Sequence, residues 1–312
     1  MPADRGPKVW IVLGLFEPDL KLFERQLESL LAQAHTEFEL IIAADGPHPD
    51  DVSAVVKTAD DGRIHLEQFS ERVGVHGNFA RGLALALKRS ARSDDLFAFC
   101  DQDDVWSPDK LREQVQAMQS LGVSLCHHDA RIVGRDGSLV APSMFALERR
   151  SPSMETLALL VMNSVTGMTA VFRKDVAEAS SGFPMAATSQ MLHDHWVALV
   201  ASVLGEVRLL DRTLVDYVQH GANEVGSVPP ARVPAWRNLL FGGPEYRLKC
   251  REQYAWRARA LEALIALGTG TAEDGMLAYP QLMSFCLSNL ATGRRRQAEQ
   301  AWRLILGRFY SR

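Results

Sequence analysis

Leu96-Phe97-Ala98-Phe99-Cys100-Asp101-Gln102-Asp103-Asp104-Val105-Trp106 joins an apolar run of strand length to three carboxylates within four residues. Such a run, bounded by polar residues, reads as a strand buried on both faces. Crowded carboxylates repel one another, and a fold tolerates them best around a cation or a donor-rich ligand. In open α/β sheets, ligands sit beyond the carboxyl ends of the strands. The stretch therefore predicts a metal–nucleotide site at the end of a central strand. The competing reading is a solvated acidic turn favouring the N-terminus of the helix that Ser107-Pro108-Asp109-Lys110 opens.

Outward from this stretch, the first 120 residues alternate between strand and helix patterns. Val9–Leu13, Phe38–Ala43 and Ile64–Phe69 are strand candidates; Pro18-Asp19, Asp50 and Asn78 open helices. This alternation predicts an α/β fold with a mostly parallel sheet and right-handed crossovers. Farther on, Val123–Cys126, Ala130–Val133, Met168–Phe172, Val207–Leu210 and Leu214–Val218 read as strands and Gln190–Val203 as a helix. From about Pro234 the pattern is helical, and Gly221–Pro234 is the linker candidate.

The 312 residues carry a formal net charge of -4, which argues against nucleic-acid binding. Residues 232–312 hold 13 Lys/Arg against 6 Asp/Glu, so the positive charge gathers at the C-terminal end. Cys100, Cys126, Cys250 and Cys286 have no C-x-x-C spacing and read as reduced, mostly buried thiols. Neither a signal-peptide pattern at Met1–Arg5 nor a membrane-spanning run is evident, and a cytoplasmic protein is expected.

Three further segments carry chemistry. His193-Asp194-His195-Trp196 opens a helix, where Asp194 is either a general base or an acid that complements the helix dipole. His220, followed by Gly221, ends a strand within reach of a metal or phosphate, or else lies on the surface. Gly74-Val75-His76-Gly77-Asn78-Phe79-Ala80-Arg81-Gly82 is neither a Rossmann nor a P-loop fingerprint. Its glycines either admit a ligand to the backbone, with Asn78 or Arg81 in contact, or make a structural turn.

Taken in order, these segments resemble the family 2 glycosyltransferases, in their rhamnosyltransferase-like branch, over roughly residues 8–226. Leu15-Phe16-Glu17-Pro18 and Ser29-Leu30-Leu31-Ala32-Gln33 hold the places of the first loop and helix. Ala44-Asp45-Gly46-Pro47 stands for the D-D-G-S turn, and Gly74–Gly82 for G-x-x-x-N-F-x-R-G. Cys100–Trp106 matches the hallmark S-D-Q-D-D-x-W, and Gly167–Arg173 the later G-x-T-A-x-F-R strand. Asp194-His195-Trp196 and Gln219–Gly226 complete the series. Four departures, Leu15, Glu17, Ala44 and Pro47, fall in the loops that would meet the nucleoside.

The resemblance implies a GT-A fold with a mixed, mostly parallel sheet: a domain over 1–228, split near 120 into nucleotide and acceptor halves. A helical extension over 229–312 follows. It implies inverting transfer of a sugar, with rhamnose the first choice, from a dTDP- or UDP-sugar to a glycan or lipid-linked acceptor. A Mg²⁺ or Mn²⁺ ion would sit on Asp101, Asp103 and His220, and Asp194 would be the base. Phe16, Glu17, Asp45, Asn78, Arg81 and Asp101 would contact the nucleotide sugar. A catalytically silent nucleotide-sugar-binding module and a metal-dependent phosphohydrolase use the same residues and remain as rivals. The basic, Trp- and Phe-bearing C-terminal helices suit either packing on the domain or contact with the inner face of the cell membrane.

Overall fold

The computed structural model describes residues 6–47, 50–181, 192–220, 243–268 and 275–311. The chain runs β1 (Val9–Leu15), α1 (Leu20–Leu31), β2 (Phe38–Ala44), α2 (Asp50–Ala59), β3 (Ile64–Gln68), α3 (Gly74–Arg89) and β4 (Leu96–Cys100). There follow β5 (Val105–Trp106), α4 (Lys110–Leu121), β6 (Leu125–Gly134), β7 (Leu139–Ala141), α5 (Met144–Glu148) and α6 (Thr156–Val161). A 3-10 turn at Gly167–Thr169 leads to β8 (Val171–Arg173), α7 (Lys174–Ser180), α8 (His193–Leu204) and β9 (Val207–Gln219). Three helices close the described chain: α9 (Pro244–Ala266), α10 (Tyr279–Ala291) and α11 (Arg295–Tyr310). The expected domain boundary at 228/229 and the linker candidate up to Pro234 lie outside the described residues.

The nine strands form one sheet ordered β3-β2-β1-β4-β8-β6-β9-β5, with β7 on β6. β3, β2, β1 and β4 are parallel; β8 then pairs antiparallel with both β4 and β6. The alternation of side chains along the strands divides the core into two layers. Val9, Ile11, Leu13, Leu40, Ile42 and Ala98 face one layer, with Phe23, Leu27, Leu111 and Val115 of α1 and α4. Trp10, Val12, Ile41, Phe97 and Phe99 face the other, with residues of α3, α7, α8 and the C-terminal helices. Trp256, Leu261 and Leu264 of α9 and Leu304 of α11 belong to this second layer, so the C-terminal helices are packed on the sheet domain.

Several expectations change in the structure. The two strand pieces at 123–133 are one ten-residue strand, β6, whose register slips near Asp129, and 207–218 is likewise a single strand, β9. The strand expected at Met168 begins at Val171, because Gly167–Thr169 turns instead. The helix expected from Asn78 starts at Gly74, and Gly82 lies inside it. A Cβ on Gly82 would meet Val12 Cγ1 at 2.5 Å and Ala43 Cβ at 3.3 Å. That glycine thus brings α3 close to the sheet, rather than a ligand close to the backbone. The helix opened at Ser107-Pro108 begins at Lys110, and the Ser107 carbonyl accepts from Gln33 Nε2 at 2.7 Å as well as from Lys110 N.

Candidate active site at the acid turn

β4 is buried along its whole length and delivers Asp101, Gln102, Asp103 and Asp104 beyond its carboxyl end. Asp101 and Asp103 keep some exposure, whereas Asp104 is wholly buried. Asp104 Oδ1 accepts from Val218 N at 3.1 Å, and burial with two neighbouring acids drives its acidity far down. It works as an internal link between the turn and β9. Asp103 Oδ2 lies 2.7 Å from His220 Nε2, just past β9. Burial raises the pKa of Asp103 despite this imidazole. Asp101 rises to about 7 through burial and the charges of Asp103 and Asp194.

Asp194 sits in the first turn of α8 and is 8% exposed. Its Oδ1 accepts from Asn163 Nδ2 at 3.2 Å, and its Oδ2 from Gly167 N at 3.1 Å. Burial outweighs these donors and the nearby Arg150 cation, leaving its pKa at about 6. The flanking imidazoles are spent on packing. His193 stacks on Phe79 with centroids 3.8 Å apart, and His195 Nε2 lies 2.7 Å from Leu159 O and its ring edge-on to Trp256. Burial pushes both to about 3, so they are neutral.

The remaining predicted residues gather at the carboxyl ends of β1 and β2. Asp45 is 4% exposed and receives Val73 N and Gly74 N at 2.8 Å each, together with Arg81 Nη2 at 2.6 Å. Val73 offers no side-chain cap to α3, so Asp45 supplies one from a different segment. Asn78, 3% exposed, donates to Ala43 O and accepts from Arg81 Nε. Arg81 also donates to Glu71 O and stacks on Phe69, its guanidinium carbon 3.8 Å from the ring centroid. Asn78 and Arg81 are thus turned into the fold and frame this end of the site. Phe16 is half-buried beneath Arg72, whose guanidinium carbon lies 3.7 Å from the ring centroid. Glu17 is exposed with a left-handed φ of 41°.

Three residues to which the sequence assigns no role hold the site together. Gln102 Oε1 accepts from Phe16 N at 2.8 Å while its Nε2 donates to Phe16 O at 3.1 Å, pinning the β1 loop to the acid turn. Asn163 and Gly167 hold Asp194. Gln102 and Gly167 are letters of the quoted motifs, which is their sequence signal; Asn163 sits in a mostly apolar stretch, and its partner is 31 residues away.

The donor set fits a divalent cation. Asp101 and Asp103 are desolvated carboxylates two residues apart, each disfavoured as an anion until positive charge arrives. Among the described residues, no group of three His, Cys, Asp or Glu side chains could hold a metal by itself. A cation bridging two phosphates needs few protein ligands, because phosphate and water supply most of its oxygens.

The profile described as Glycosyl transferase family 2 matches residues 17–180. The chain belongs to this family. Among curated relatives of this family 2 chain, an uncharacterized glycosyltransferase of Nostoc sp. (strain PCC 7120) is 26% identical over 215 residues, which is 65% of this chain and 62% of the relative. An uncharacterized protein of Sinorhizobium fredii is 31% identical over 133 residues, 42% of this chain and 13% of that one. The chain thus spans less than two thirds of the length of either. Similar solved structures include S. aureus TarS 1–349 in complex with UDP-GlcNAc, at TM-score 0.54 and 15% identity, covering 97% of this chain and 91% of that one. The mannosyltransferase PcManGT of Pyrobaculum calidifontis, in complex with GDP-Man and Mn²⁺, has TM-score 0.53 and 17% identity, over 97% and 86%. The fold of this family 2 chain is GT-A. No helix among its described residues is long and apolar enough to cross a membrane.

Proposed function

We propose that the chain is an inverting, metal-dependent glycosyltransferase that moves a sugar from a nucleoside diphosphate to a hydroxyl of a glycan or lipid-linked acceptor. One observation carries the reading: His193 packs edge-on against Phe99, ring centroids 4.8 Å apart, so the start of α8 meets the end of β4 and Asp194 shares the space of the acid turn. Asp194 is mostly ionised at neutral pH and desolvated enough to be a competent base. Its Oδ atoms, oriented by Asn163 and Gly167, take the proton of the acceptor hydroxyl as that oxygen attacks the anomeric carbon. A single base facing the leaving group suits direct displacement with inversion. When bound, Mg²⁺ or Mn²⁺ held by one or two of Asp101, Asp103 and His220, with phosphate and water completing its shell, would neutralise charge on the departing diphosphate.

Phe16, Glu17 and the Asp45–Arg81 pair frame the nucleoside end, and Asn78 acts there through Arg81. Rhamnose from dTDP-rhamnose is the first choice of donor; UDP-GlcNAc and GDP-mannose, bound by the structural neighbours, are the comparison donors. Residues 1–228 would form the catalytic domain and 229–312 its helical extension. Exposed Leu287, Leu290 and Phe309, with Arg294 and Arg295 at the start of α11, support peripheral contact with an anionic cytoplasmic membrane face, where a lipid-linked acceptor would lie. Co-sedimentation with anionic but not neutral vesicles checks that contact.

The central test is a panel of nucleotide sugars with and without Mn²⁺. The true donor raises thermal stability by mass action, and nucleoside diphosphate is then released only when an acceptor is present. Acceptor-independent phosphate release would make the chain a phosphohydrolase. Binding without turnover, unaffected by Asp194→Asn, would make it a binding module.

A further inference from the structure

The carboxylate of Asp194 is gripped by the loop Asn163–Gly167, and that loop is itself held from outside. Asn163 Nδ2 also donates to Val165 O at 2.7 Å, and Val165 N donates back to Asn163 Oδ1 at 2.9 Å. Arg150 Nη1 donates to Ser164 O at 3.3 Å and to the Thr166 hydroxyl. Arg150 Nε donates in turn to Glu148 Oε2 at 3.0 Å. The last helix secures this segment: Arg296 Nη1 donates to Glu148 O at 2.6 Å and lies 3.6 Å from its Oε2, while Gln297 Nε2 donates to Arg149 O at 3.1 Å.

A second tie comes from α9. Arg257 is 4% exposed, and its guanidinium donates to Leu160 O at 2.7 Å and Val161 O at 2.9 Å, at the carboxyl end of α6 and two residues before Asn163. Helix ends leave carbonyls unsatisfied and attract cations, which explains the partners. It does not explain why a fold would bury an arginine to reach them, since an interior cation is costly wherever it stands. The position just before the base loop supplies the reason.

We propose that the C-terminal helices complete the active site by holding the loop that grips Asp194, with Arg150 as the positioning residue through which they act. This rests on Asp194 being the base. Burial opposes the ionised form of that carboxylate, the His195 and Gly167 backbone N–H groups and the Arg150 cation favour it, and its charge in turn raises Asp101 on the acid turn. His193 and His195 on its own helix are neutral. Loosening the loop removes two hydrogen-bond donors and displaces the cation, and both changes favour the protonated acid.

The experiment compares Arg150→Met, Arg150→Lys and Arg296→Ala with wild type and Asp194→Asn, measuring donor KM, kcat and the pH profile of kcat. Arg150→Met should lower kcat at pH 7 about tenfold, leave donor KM within about twofold, and move the acid limb up by about half a unit to one unit. Arg150→Lys should bring the limb back toward wild type while kcat stays depressed. Arg296→Ala, a change at a partly exposed residue, should move the limb the same way by less. A wild-type acid limb and kcat in Arg150→Met, or an effect confined to donor KM, overturns the proposal. Should that variant fail to fold, a wild-type profile in Arg296→Ala overturns it equally. Full transfer by Asp194→Asn is a different failure, since it removes the base itself.

Discussion

His220 Nε2 stands 2.7 Å from Asp103 Oδ2, tying the end of β9 to the acid turn across 117 positions of the chain. This pair gives the first prediction. Asp103→Ala should abolish Mn²⁺-dependent donor binding, and His220→Ala should weaken it about tenfold by removing one ligand or its orienting partner. Titration calorimetry with and without Mn²⁺ measures both, and undiminished metal-dependent binding by the Asp103 variant would sink the assignment. Chelation with EDTA should stop turnover, and added Mn²⁺ or Mg²⁺ should restore it.

Asp194→Asn should keep donor affinity within about twofold and lower transfer by about a thousandfold or more, as expected for loss of a base acting only in the transition state. For the wild type, the acid limb of kcat should fall near pH 6, where this carboxylate gains its proton. A limb near pH 4 would show that another group titrates.

The same carboxylate has a signature in stability. Its folded pKa of about 6 lies above the ordinary 3.8, so between those values the folded state holds a proton that the unfolded chain has released. The contribution of Asp194 to stability therefore falls as pH rises from about 4 to about 6, and its deficit is complete above that window. A gap of about two units is worth up to about 3 kcal/mol. Asp194→Asn should recover part of this at pH 7.5 and little of it at pH 4. Urea unfolding at the two pH values measures the difference; equal effects at both would refute the burial argument.

Gln102→Leu should raise donor KM about tenfold with kcat nearly unchanged. The variant loses both hydrogen bonds to the Phe16 backbone, at about 1 kcal/mol each. Steady-state kinetics separates the two constants, and a drop in kcat alone would contradict a role in shaping the donor end.

Gly82→Val should destabilise the protein by about 1–3 kcal/mol or more, because the new side chain meets Val12 and Ala43 where α3 crosses the sheet. Neither neighbour can swing away, since Val12 is a buried, β-branched strand residue and Ala43 has no rotamer to change. A chemical-denaturation midpoint unchanged from wild type would mean that α3 moves off the sheet freely.

Elements with strong local periodicity were legible in the residues alone. β1, β2, β4 and α1 fall where their apolar spacing and the Pro18-Asp19 helix start place them. The two halves of β6 look separate in sequence because His127-His128-Asp129 interrupts the apolar run, and in the structure the register slips at Asp129. The start of α3 was missed because Gly74 and Gly77 look like a loop; the cap that begins the helix comes from Asp45, 29 residues earlier.

The order of motifs along the chain determined the α/β class and its family, and singled out the acid turn and Asp194, because periodicity and short motifs are written in neighbouring residues. Tertiary structure alone decided that Asp104 is withdrawn into the interior, that Asn78 and Arg81 bond inward, and that Asp101 and Asp194 feel one another. It alone brought Arg257 to the carbonyls of Leu160 and Val161 and Arg296 to that of Glu148. These contacts join residues up to 148 positions apart, and nothing in the local pattern of either partner records the other, because the sheet and its crossovers set which loops converge.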